Sequence, residues 1–266
     1  MTRILIIGHG RMGRLVEQFA AEHQCDVAGI IDIGQSIDPS LAFDVAIDFS
    51  TAGAVLGNVA AVAAMAGPEG PALHEKGPTL HEKGPTLHEK GPTLHEASRS
   101  AGPSGPASRA IVIGTTGWQA HEAEVRAIAA QHSVGVLASA NFSLGLNAFL
   151  LVVEEAARRF APYSDYGAWI HEAHHIKKVD APSGTALLLK SAMLRVGYTG
   201  AVDISSSRAG SIPGTHTVGF DGPADSVTLT HTVRDRAVFA HGALEAAKWL
   251  QGRRGWFSMQ DVLGQS

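Results

Sequence analysis

Short aliphatic runs alternate with helix-spaced apolar positions through the first half of the chain. The run Arg3–Ile7 (RILII) predicts a buried strand, and the spacing of the apolar residues that follow predicts a helix over Arg14–His23. The same criteria predict further strands at Asp26–Ile33, Ala42–Phe49, Ala110–Ile113 and Gly135–Ala138, and helices at Ala52–Ala66 and Glu122–His132. Because strands alternate with helices, we expect an α/β fold with a mainly parallel sheet in this half.

The pattern changes after Ser139. A long helix, an alternating strand and a second helix are predicted at Leu144–Phe160, Tyr166–Glu172 and Pro182–Val196. From Asp203 to Ala240 four pieces are strand-like: VDISSSRAG, THTVGF, SVTLTHTV and AVFA. Two helices are predicted to close the chain, at Gly242–Leu250 and Trp256–Leu263. This half therefore predicts a smaller α+β domain with a mainly antiparallel sheet.

A tandem repeat separates two of the predicted elements. Leu73–Glu96 contains the unit LHEKGPT three times and then LHE again, within a Gly-, Pro- and Ser-rich stretch over 67–108. Each unit has one Leu and a Gly-Pro pair, which excludes a coiled coil and a continuous helix. Four histidines spaced along a flexible chain form a poor chelate, because ordering them costs entropy. We predict a flexible insertion, derived from a tandem expansion, that projects from the edge of the sheet opposite the ligands.

A glycine-rich turn follows the first predicted strand. Gly8–Gly13 is GHGRMG, which fits the dinucleotide-binding pattern GxGxxG between a strand and a helix. In that pattern Gly8 allows a tight turn, Gly10 lets a pyrophosphate approach the backbone, and Gly13 lets the helix pack closely. Asp32 lies 19 residues after Gly13, where a carboxylate can bind a ribose diol. We therefore predict a Rossmann-type domain that binds NADH or NADPH.

The residues after Asp32 bear on the choice between these cofactors. They are IGQSID and contain no Lys or Arg to meet a 2′-phosphate. NADH is therefore expected to be favoured.

The stretch His171–Ala186, HEAHHIKKVDAPSGTA, holds three histidines, two lysines and two carboxylates. Adjacent histidines point in different directions on a regular element, and nearby lysines repel a cation, so no metal is expected. An ordinary polar loop fits poorly with so many titratable groups. The remaining interpretation is an anion site that also transfers protons, with Lys178 and the start of the PSGT helix binding a carboxylate. Either His174 or Lys178 can then donate a proton.

Composition narrows the class of protein. Of the 266 residues, 45% are hydrophobic and 17% charged, which excludes global disorder. The net charge of −4 gives no reason to expect nucleic acid. The single Cys25 fits a reducing compartment, and no apolar run approaches the length of a membrane span. We expect a soluble cytoplasmic protein with no membrane partner.

Several stretches together resemble one family. EAHHIKKVDAPSGTA is similar to the signature of the dihydrodipicolinate reductase family, also called 4-hydroxy-tetrahydrodipicolinate reductase, of bacterial lysine and diaminopimelate synthesis. The stretches that agree in order are GHGRMG, VAIDFS, VIGTTGW, SANFSLGLN, PGTHTVGF and FAHGALEAAKWL. The resemblance covers nearly the whole chain apart from 67–108.

This resemblance implies an architecture and a reaction. Residues 1–141 would form the dinucleotide-binding domain, 142–236 the substrate-binding and oligomerisation domain of a homotetramer, and 237–266 a helical return to the first domain. The reaction would be the reduction of a cyclic dicarboxylate, 4-hydroxy-tetrahydrodipicolinate, by NADH or NADPH with loss of water. Two alternatives stay open: another nicotinamide-dependent oxidoreductase of a small carboxylic acid, or a non-catalytic dinucleotide-sensing protein. The sensing protein would need no proton donor beside an anion site.

The resemblance also assigns roles to residues. His174 would be the general acid, and Lys178 a second proton donor or a charge partner. The expected substrate-binding residues are His175, Ser183, Gly184, Thr185 and Arg236. The expected cofactor-binding residues are Gly8, His9, Gly10, Arg11, Met12, Gly13, Asp32, Gly114, Thr115, Thr116, Ser139, Ala140, Asn141 and Phe142.

Overall fold

The computed structural model of the protein describes residues 1–65 and 109–264. The segment 66–108, with the repeat and the predictions made for it, lies outside the described residues. The strands are β1 Thr2–Ile7, β2 Cys25–Ile31, β3 Val45–Asp48, β4 Ala110–Ile113, β5 Gly135–Ala138, β6 Gly167–His174, β7 Val202–Arg208, β8 Thr215–Asp221, β9 Ser226–Thr232 and β10 Gly255–Phe257. The helices are α1 Arg11–Phe19, α2 Val55–Ala64, α3 Glu122–Gln131, α4 Leu144–Phe160, α5 Gly184–Arg195, α6 Ala237–Leu250 and α7 Met259–Val262.

The first sheet has six strands in the order β10-β5-β4-β3-β1-β2, all of them parallel. This confirms the predicted α/β fold. The strand order reverses at β1, which has β2 on one side and β3 on the other. Open α/β sheets bind ligands at such a switch point, outside the carboxyl ends of the strands. Gly8, Asp32, Gly114 and Ser139 lie just after the strands that end at this edge.

The second sheet has the order β7-β6-β8-β9. Strands β6 and β7 are parallel, while β6–β8 and β8–β9 are antiparallel, so the predicted mainly antiparallel sheet is confirmed. One face packs against α4 and α5, where Ile170, Val218 and Phe220 are fully buried. On the opposite face the ring of Trp169 fills the space beside Gly219, where an added Cβ would lie 2.2 Å from the ring.

Two predictions near the C-terminus are wrong. The segment AVFA was expected as a strand but forms the first turn of α6, in which Ala240, Ala243 and Leu250 are fully buried. A four-residue apolar run cannot be assigned by periodicity alone, because strand and helix patterns differ only over longer windows. The final helix was expected over Trp256–Leu263, but Gly255–Phe257 is a strand that pairs with β5. Such a short strand forms because a neighbouring strand edge is available, which its own sequence does not reveal.

Helix α6 joins the end of the chain to the first sheet. Its alanines and leucines share one core with Ile4, Val45 and Val112, and its residues contact α1. Among residues 1–65 and 109–264, no helix has both the length and the apolar character needed to cross a membrane.

Candidate active site

The glycines of the first turn differ in what surrounds them. Gly8 has a φ of +91°, and a Cβ there would lie 2.6 Å from the carbonyl oxygen of Phe49. A Cβ on Gly13 would lie 2.1 Å from the carbonyl oxygen of Gly8, so helix and turn are in contact there. A Cβ on Gly10 would meet nothing within 4 Å. Space is thus left open at Gly10, at the N-terminus of α1, where backbone N–H groups and the helix dipole favour an anion.

A groove of about 410 Å³ extends from this turn across the carboxyl ends of β1, β2 and β3. It is lined by Gly8, Gly10, Asp32, Gln35 and Asn58, among others. The exposed carboxylate of Asp32 accepts a hydrogen bond from the backbone N–H of Ile33 at 2.9 Å. The open space at Gly10 fits the pyrophosphate of a dinucleotide, and the carboxylate of Asp32 fits its ribose.

Asp48, at the end of β3, connects this groove to the next strand. It is fully buried, and its Oδ1 accepts hydrogen bonds from the hydroxyls of Ser50 at 2.7 Å and Thr115 at 2.8 Å. Its Oδ2 accepts from the side-chain amide of Asn58 at 2.8 Å. Its backbone carbonyl also accepts from the N–H of Gly114 at 2.9 Å. Asp48 therefore fixes the loop after β4 against the start of α2.

A cavity of about 440 Å³ lies between the two sheets. Its lining includes ten of the predicted site residues. Five come from the edge of the parallel sheet, namely Met12, Gly114, Ala140, Asn141 and Phe142, and five from the second half of the chain, namely His174, His175, Lys178, Thr185 and Arg236. The two predicted groups of residues, which are distant in sequence, thus meet in one space.

The other predicted residues lie around these spaces. Thr115 and Ser139 line a smaller neighbouring pocket with Trp118 and Trp256. Ser183 is buried behind the cavity wall and caps α5, where its hydroxyl accepts from the N–H of Ala186. Among the predicted residues that line neither the groove nor the cavity, three are exposed at the surface: Arg11, Thr116 and Gly184. The half-buried ring of His9 contacts Glu17 at 2.7 Å.

A row of polar side chains crosses the second sheet beside the cavity. The strand register places Ser206 of β7, Glu172 of β6, His216 of β8 and His231 of β9 directly alongside one another. Residues paired in this way point to the same face of a sheet and interact. His174, two residues further along β6, lies on the same face and is paired with Arg208. The site is therefore built by strand register.

Glu172 has no exposed surface, and its two oxygens have different partners. Oε1 accepts hydrogen bonds from the N–H of Ser183 at 3.0 Å, the hydroxyl of Ser206 at 2.7 Å and the guanidinium of Arg208 at 2.7 Å. Burial alone would raise the pKa of Glu172, but the hydrogen bonds from these three residues outweigh it and lower the pKa to about 2. The carboxylate is therefore ionised at neutral pH.

The other oxygen of Glu172 faces two histidines. Nδ1 of His174 lies 3.0 Å from Oε2, and Nε2 of His216 lies 3.7 Å from it. Burial lowers the pKa of His174, opposed by Glu172 and assisted by Lys178. Burial, followed by the charge of His174, lowers the pKa of His216 to about 4. Without a ligand, both imidazoles are neutral at neutral pH.

Lys178 also lines the cavity and is paired with Asp180. Its ammonium is 2.8 and 2.9 Å from the two carboxylate oxygens of Asp180. The hydrogen bond from Lys178 lowers the pKa of Asp180, whose side chain is exposed. An anionic ligand entering the cavity can therefore compete with Asp180 for the ammonium.

The same residues must be considered as a metal site. Glu172, His174 and His216 each offer one ligand atom, and these atoms lie within 4.8 Å of one another. However, the guanidinium of Arg208 is already bound to Glu172, and Lys178 is close enough to lower the pKa of both imidazoles. Two nearby cations oppose a third. The arrangement is better suited to holding a proton.

Sequence reasoning missed four residues that the structure brings to the site. Glu172 was noticed only as one carboxylate of a polar stretch, and Asp48, His216 and His231 were given no role. All but Asp48 lie in the row across the second sheet. Asp48 and His216 lie within VAIDFS and PGTHTVGF, so a signal existed, but strand register was needed to interpret it.

Comparison with known proteins identifies the family of the chain. Residues 145–263 match the model described as dihydrodipicolinate reductase, C-terminus. The chain is 39% identical over 188 residues to 4-hydroxy-tetrahydrodipicolinate reductase of Caulobacter vibrioides, an alignment that covers 63% of this chain and 71% of that protein. The chain belongs to the dihydrodipicolinate reductase family.

Two further similarities concern a relative that is matched over part of its length and a solved structure. The chain is 42% identical over 173 residues to 4-hydroxy-tetrahydrodipicolinate reductase of Brucella abortus, covering 58% of this chain and 64% of that relative, which is less than two thirds of its length. A dipicolinate-bound dihydrodipicolinate reductase from Paenisporosarcina sp. TG-14 has a similar structure, with a TM-score of 0.67, 18% identity and 97% of each chain covered. This structural likeness shows the shared fold.

Proposed function

We propose that the protein is an NADH- or NADPH-dependent reductase of 4-hydroxy-tetrahydrodipicolinate that releases tetrahydrodipicolinate and water in lysine and diaminopimelate synthesis. The observation that carries this proposal is the shared cavity, in which Gly114 and Asn141 from the dinucleotide edge face His174 and Lys178 from the second sheet. Hydride donor and proton donor must meet at one substrate, and this space has access to both edges. The relatives named 4-hydroxy-tetrahydrodipicolinate reductase support the choice of substrate.

The groove along the parallel sheet is the proposed cofactor site. Gly10 leaves room for a pyrophosphate and Asp32 offers a carboxylate to the ribose. A bound NADH or NADPH supplies the hydride. We propose that NADH is preferred, because Asp32 would repel a 2′-phosphate and the groove lining includes the uncharged residues Ile33, Gly34 and Gln35.

The substrate has two carboxylates, and the cavity offers separate groups for them. Thr185 lies in the first turn of α5, a helix of 12 residues whose N-terminus favours negative charge. His175, Lys178 and Arg236 also line the cavity. We propose that the substrate displaces Asp180 from the ammonium of Lys178. Ser183 then acts indirectly by capping α5 from behind.

The proposed reaction consumes one hydride and one proton for each water released. His174 is placed to supply the proton, because its side chain lines the cavity and is otherwise surrounded by protein. The two carboxylates of a bound substrate would raise the pKa of His174, which opposes the effect of burial. Substrate and proton are therefore expected to bind together.

The test is a direct assay. The purified protein is mixed with NADH and the cyclic substrate, and loss of the reduced nicotinamide absorbance and formation of the product are followed. Turnover that depends on the cyclic substrate is expected, whereas turnover only with other small carboxylic acids would favour a different oxidoreductase. Cofactor binding without turnover would favour a sensing protein. Comparing kcat/KM for NADH and NADPH tests the cofactor preference, and a clear preference for NADPH would contradict it.

We also propose a homotetramer that forms through the second sheet. The face of that sheet turned away from α4 and α5 carries Trp169, His171, Thr217 and Thr230, which are partly or fully exposed. Sedimentation equilibrium tests this assembly, and Thr230→Arg on that face is expected to weaken it. We further propose that the domain boundaries lie at residues 142 and 237. A cytoplasmic location is also proposed.

A further inference from the structure

The two carboxylate oxygens of Glu172 have different hydrogen-bonding environments. Three donors converge on Oε1, from Ser183, Ser206 and Arg208, so this oxygen is saturated. Oε2 is buried and has no hydrogen bond of good geometry within the described residues. Nδ1 of His174, 3.0 Å away, is also buried and without such a bond among those residues. A buried acceptor and a buried potential donor therefore lie within hydrogen-bonding distance of each other, and neither has another hydrogen bond among the described residues.

The opposite nitrogen of His174 lies beside a residue that lines the cavity. Nε2 lies on the side of Gly214, which also lines the cavity, and a Cβ on Gly214 would come within 3.3 Å of it. Glu172 has no exposed surface and lies behind the imidazole. The order from the interior to the cavity is therefore carboxylate, imidazole and ligand space.

We propose that Glu172 is a positioning residue, whose Oε2 accepts the Nδ1–H of His174 so that Nε2 faces the substrate and the imidazolium is stabilised there. This inference rests on the proposed function only for the consequence in turnover, because the tautomer itself can be measured without substrate. On proton transfer, Nε2 gives its proton to the substrate, and His174 becomes neutral with the proton on Nδ1 retained. Glu172 remains ionised throughout.

The surrounding charges favour His174 as the partner of that oxygen. Arg208 lies at the far oxygen and keeps the carboxylate ionised, while Lys178 and Asp180 lie on the loop after β6. His216, from β8, is the competitor, but its Nε2 is 3.7 Å from Oε2 and 3.2 Å from the hydroxyl of Ser183. His216 thus has another partner, and the nearer imidazole takes the carboxylate.

This geometry predicts how a Glu172→Gln substitution changes the tautomer of His174. The three donors around Oε1 require an acceptor, so the carbonyl oxygen of the new amide takes that side and its NH₂ group faces His174. Nδ1 must then accept a hydrogen bond, and the neutral ring carries its proton on Nε2. The variant is therefore expected to invert the tautomer of His174 while nearly preserving volume.

The first measurement is ¹⁵N NMR of the imidazoles in the intact protein without substrate, with the His174 signals identified by their loss in His174→Asn. The wild type is expected to show a protonated, pyrrole-type Nδ1 and an unprotonated, pyridine-type Nε2, and Glu172→Gln the reverse. A wild-type His174 protonated on Nε2 would overturn the proposal, whatever the protein's activity. This readout needs no substitution of Glu172, so it survives a variant that fails to fold.

The second measurement is turnover as a function of pH. Glu172→Gln is expected to lower kcat at neutral pH by about 10²- to 10³-fold and to move the loss of activity with rising pH to lower pH. KM is expected to change little, because Glu172 does not reach the cavity, and Glu172→Asp should recover part of kcat. The control is Glu155→Gln on the exposed surface of α4, which should behave as wild type. An unshifted pH profile in a folded Glu172→Gln protein, or equal losses in both variants, would contradict the positioning role. If neither the wild type nor Glu155→Gln turns over the cyclic substrate, the proposed function fails and the tautomer result stands alone.

Discussion

The cofactor side and the substrate side of the protein each contain a carboxylate with no exposed surface. Asp48 accepts from neutral donors at both oxygens, namely Ser50 and Thr115 at one and Asn58 at the other. Glu172 has one oxygen saturated, with a guanidinium among its donors, and one that faces two imidazoles. A buried carboxylate thus fixes neighbouring loops in one half, and in the other half a buried carboxylate faces imidazoles that can carry a proton.

The difference follows from what each half must do. A dinucleotide needs a rigid edge of backbone, and Asp48 supplies rigidity by joining the loops after β3 and β4 to α2. A substrate that receives a proton needs a group whose charge can change, and Glu172 places such a group at the cavity. Substitutions on the substrate side should therefore lower turnover more than stability, while those on the cofactor side should do the reverse.

The largest effect is expected from Lys178→Ala on the substrate side. Lys178 is the only lysine among the described residues that line the cavity. Removing its ammonium should lower kcat by about 10³-fold, equivalent to about 4 kcal/mol of activation free energy. Steady-state kinetics and circular dichroism would be measured together. Lys177→Ala is the matched control, because the neighbouring lysine is exposed. Near-normal turnover in folded Lys178→Ala would refute its role.

The next effect is on stability and comes from acidification. The pKa of His216 falls from 6.5 to about 4 on folding, chiefly through burial. Between these values the unfolded chain binds the proton and the folded chain does not, so the free energy of unfolding should decrease as the pH falls from about 6.5 to 4. The loss is at most about 3 kcal/mol at 1.36 kcal/mol for each pKa unit. Below 4.5, Glu172 adds to the loss, because its pKa is also lowered on folding.

Urea unfolding at stepped pH values measures this slope. His216→Gln should flatten the decrease between about pH 6.5 and 4, while His121→Gln, on the exposed surface beside α3, should leave it unchanged. An equally steep decrease in His216→Gln would mean that other groups cause the acid sensitivity.

A smaller loss of stability is expected from Asp48→Asn on the cofactor side. The new NH₂ group would face the donors of Ser50, Thr115 or Asn58, leaving buried groups unpaired, which costs about 2 kcal/mol. The Kd for the cofactor should rise by about tenfold as the loop after β4 loosens, equivalent to about 1.4 kcal/mol. At saturating cofactor, kcat should change little.

Asp38→Asn provides a matched control for this experiment. Asp38 accepts from the N–H and hydroxyl of Ser40 just as Asp48 does from Ser50, but it is exposed. Its loss should be much smaller. A large fall in kcat for Asp48→Asn with normal stability would contradict the difference in role between Asp48 and Glu172.

The sequence predicted the cofactor side more completely than the substrate side. The glycine turn and Asp32 are local patterns, and each strand of a parallel sheet brings its end to the same edge. The substrate side depends on register: Glu172, His216 and His231 come from three strands, and their alignment is set by turns and packing that one sequence does not specify. Trp256, expected in a helix, and Ala240, expected in a strand, were missed because tertiary contacts decided their conformation.

The smallest effect is expected from removing the repeat. Deleting Pro68–Ser108 and joining Gly67 to Arg109 leaves residues 66 and 67 between the described ends. Arg109 donates to the carbonyl oxygens of Met65 at 3.3 Å and Phe43 at 3.1 Å, so the ends are already held together. Three Cα steps of about 3.8 Å can span the gap.

These attachment points lie at the N-terminal edge of β4, whereas the cavity and groove lie at the carboxyl edge. The deletion variant should therefore retain kcat/KM within a few-fold for cyclic substrate and cofactor. Its free energy of unfolding should be equal or higher, because a shorter loop costs less entropy to close. A folded deletion variant with little activity would show that the segment acts on the site. Loss confined to cofactor binding would place that action on the parallel sheet, and loss confined to kcat would place it on the row around Glu172.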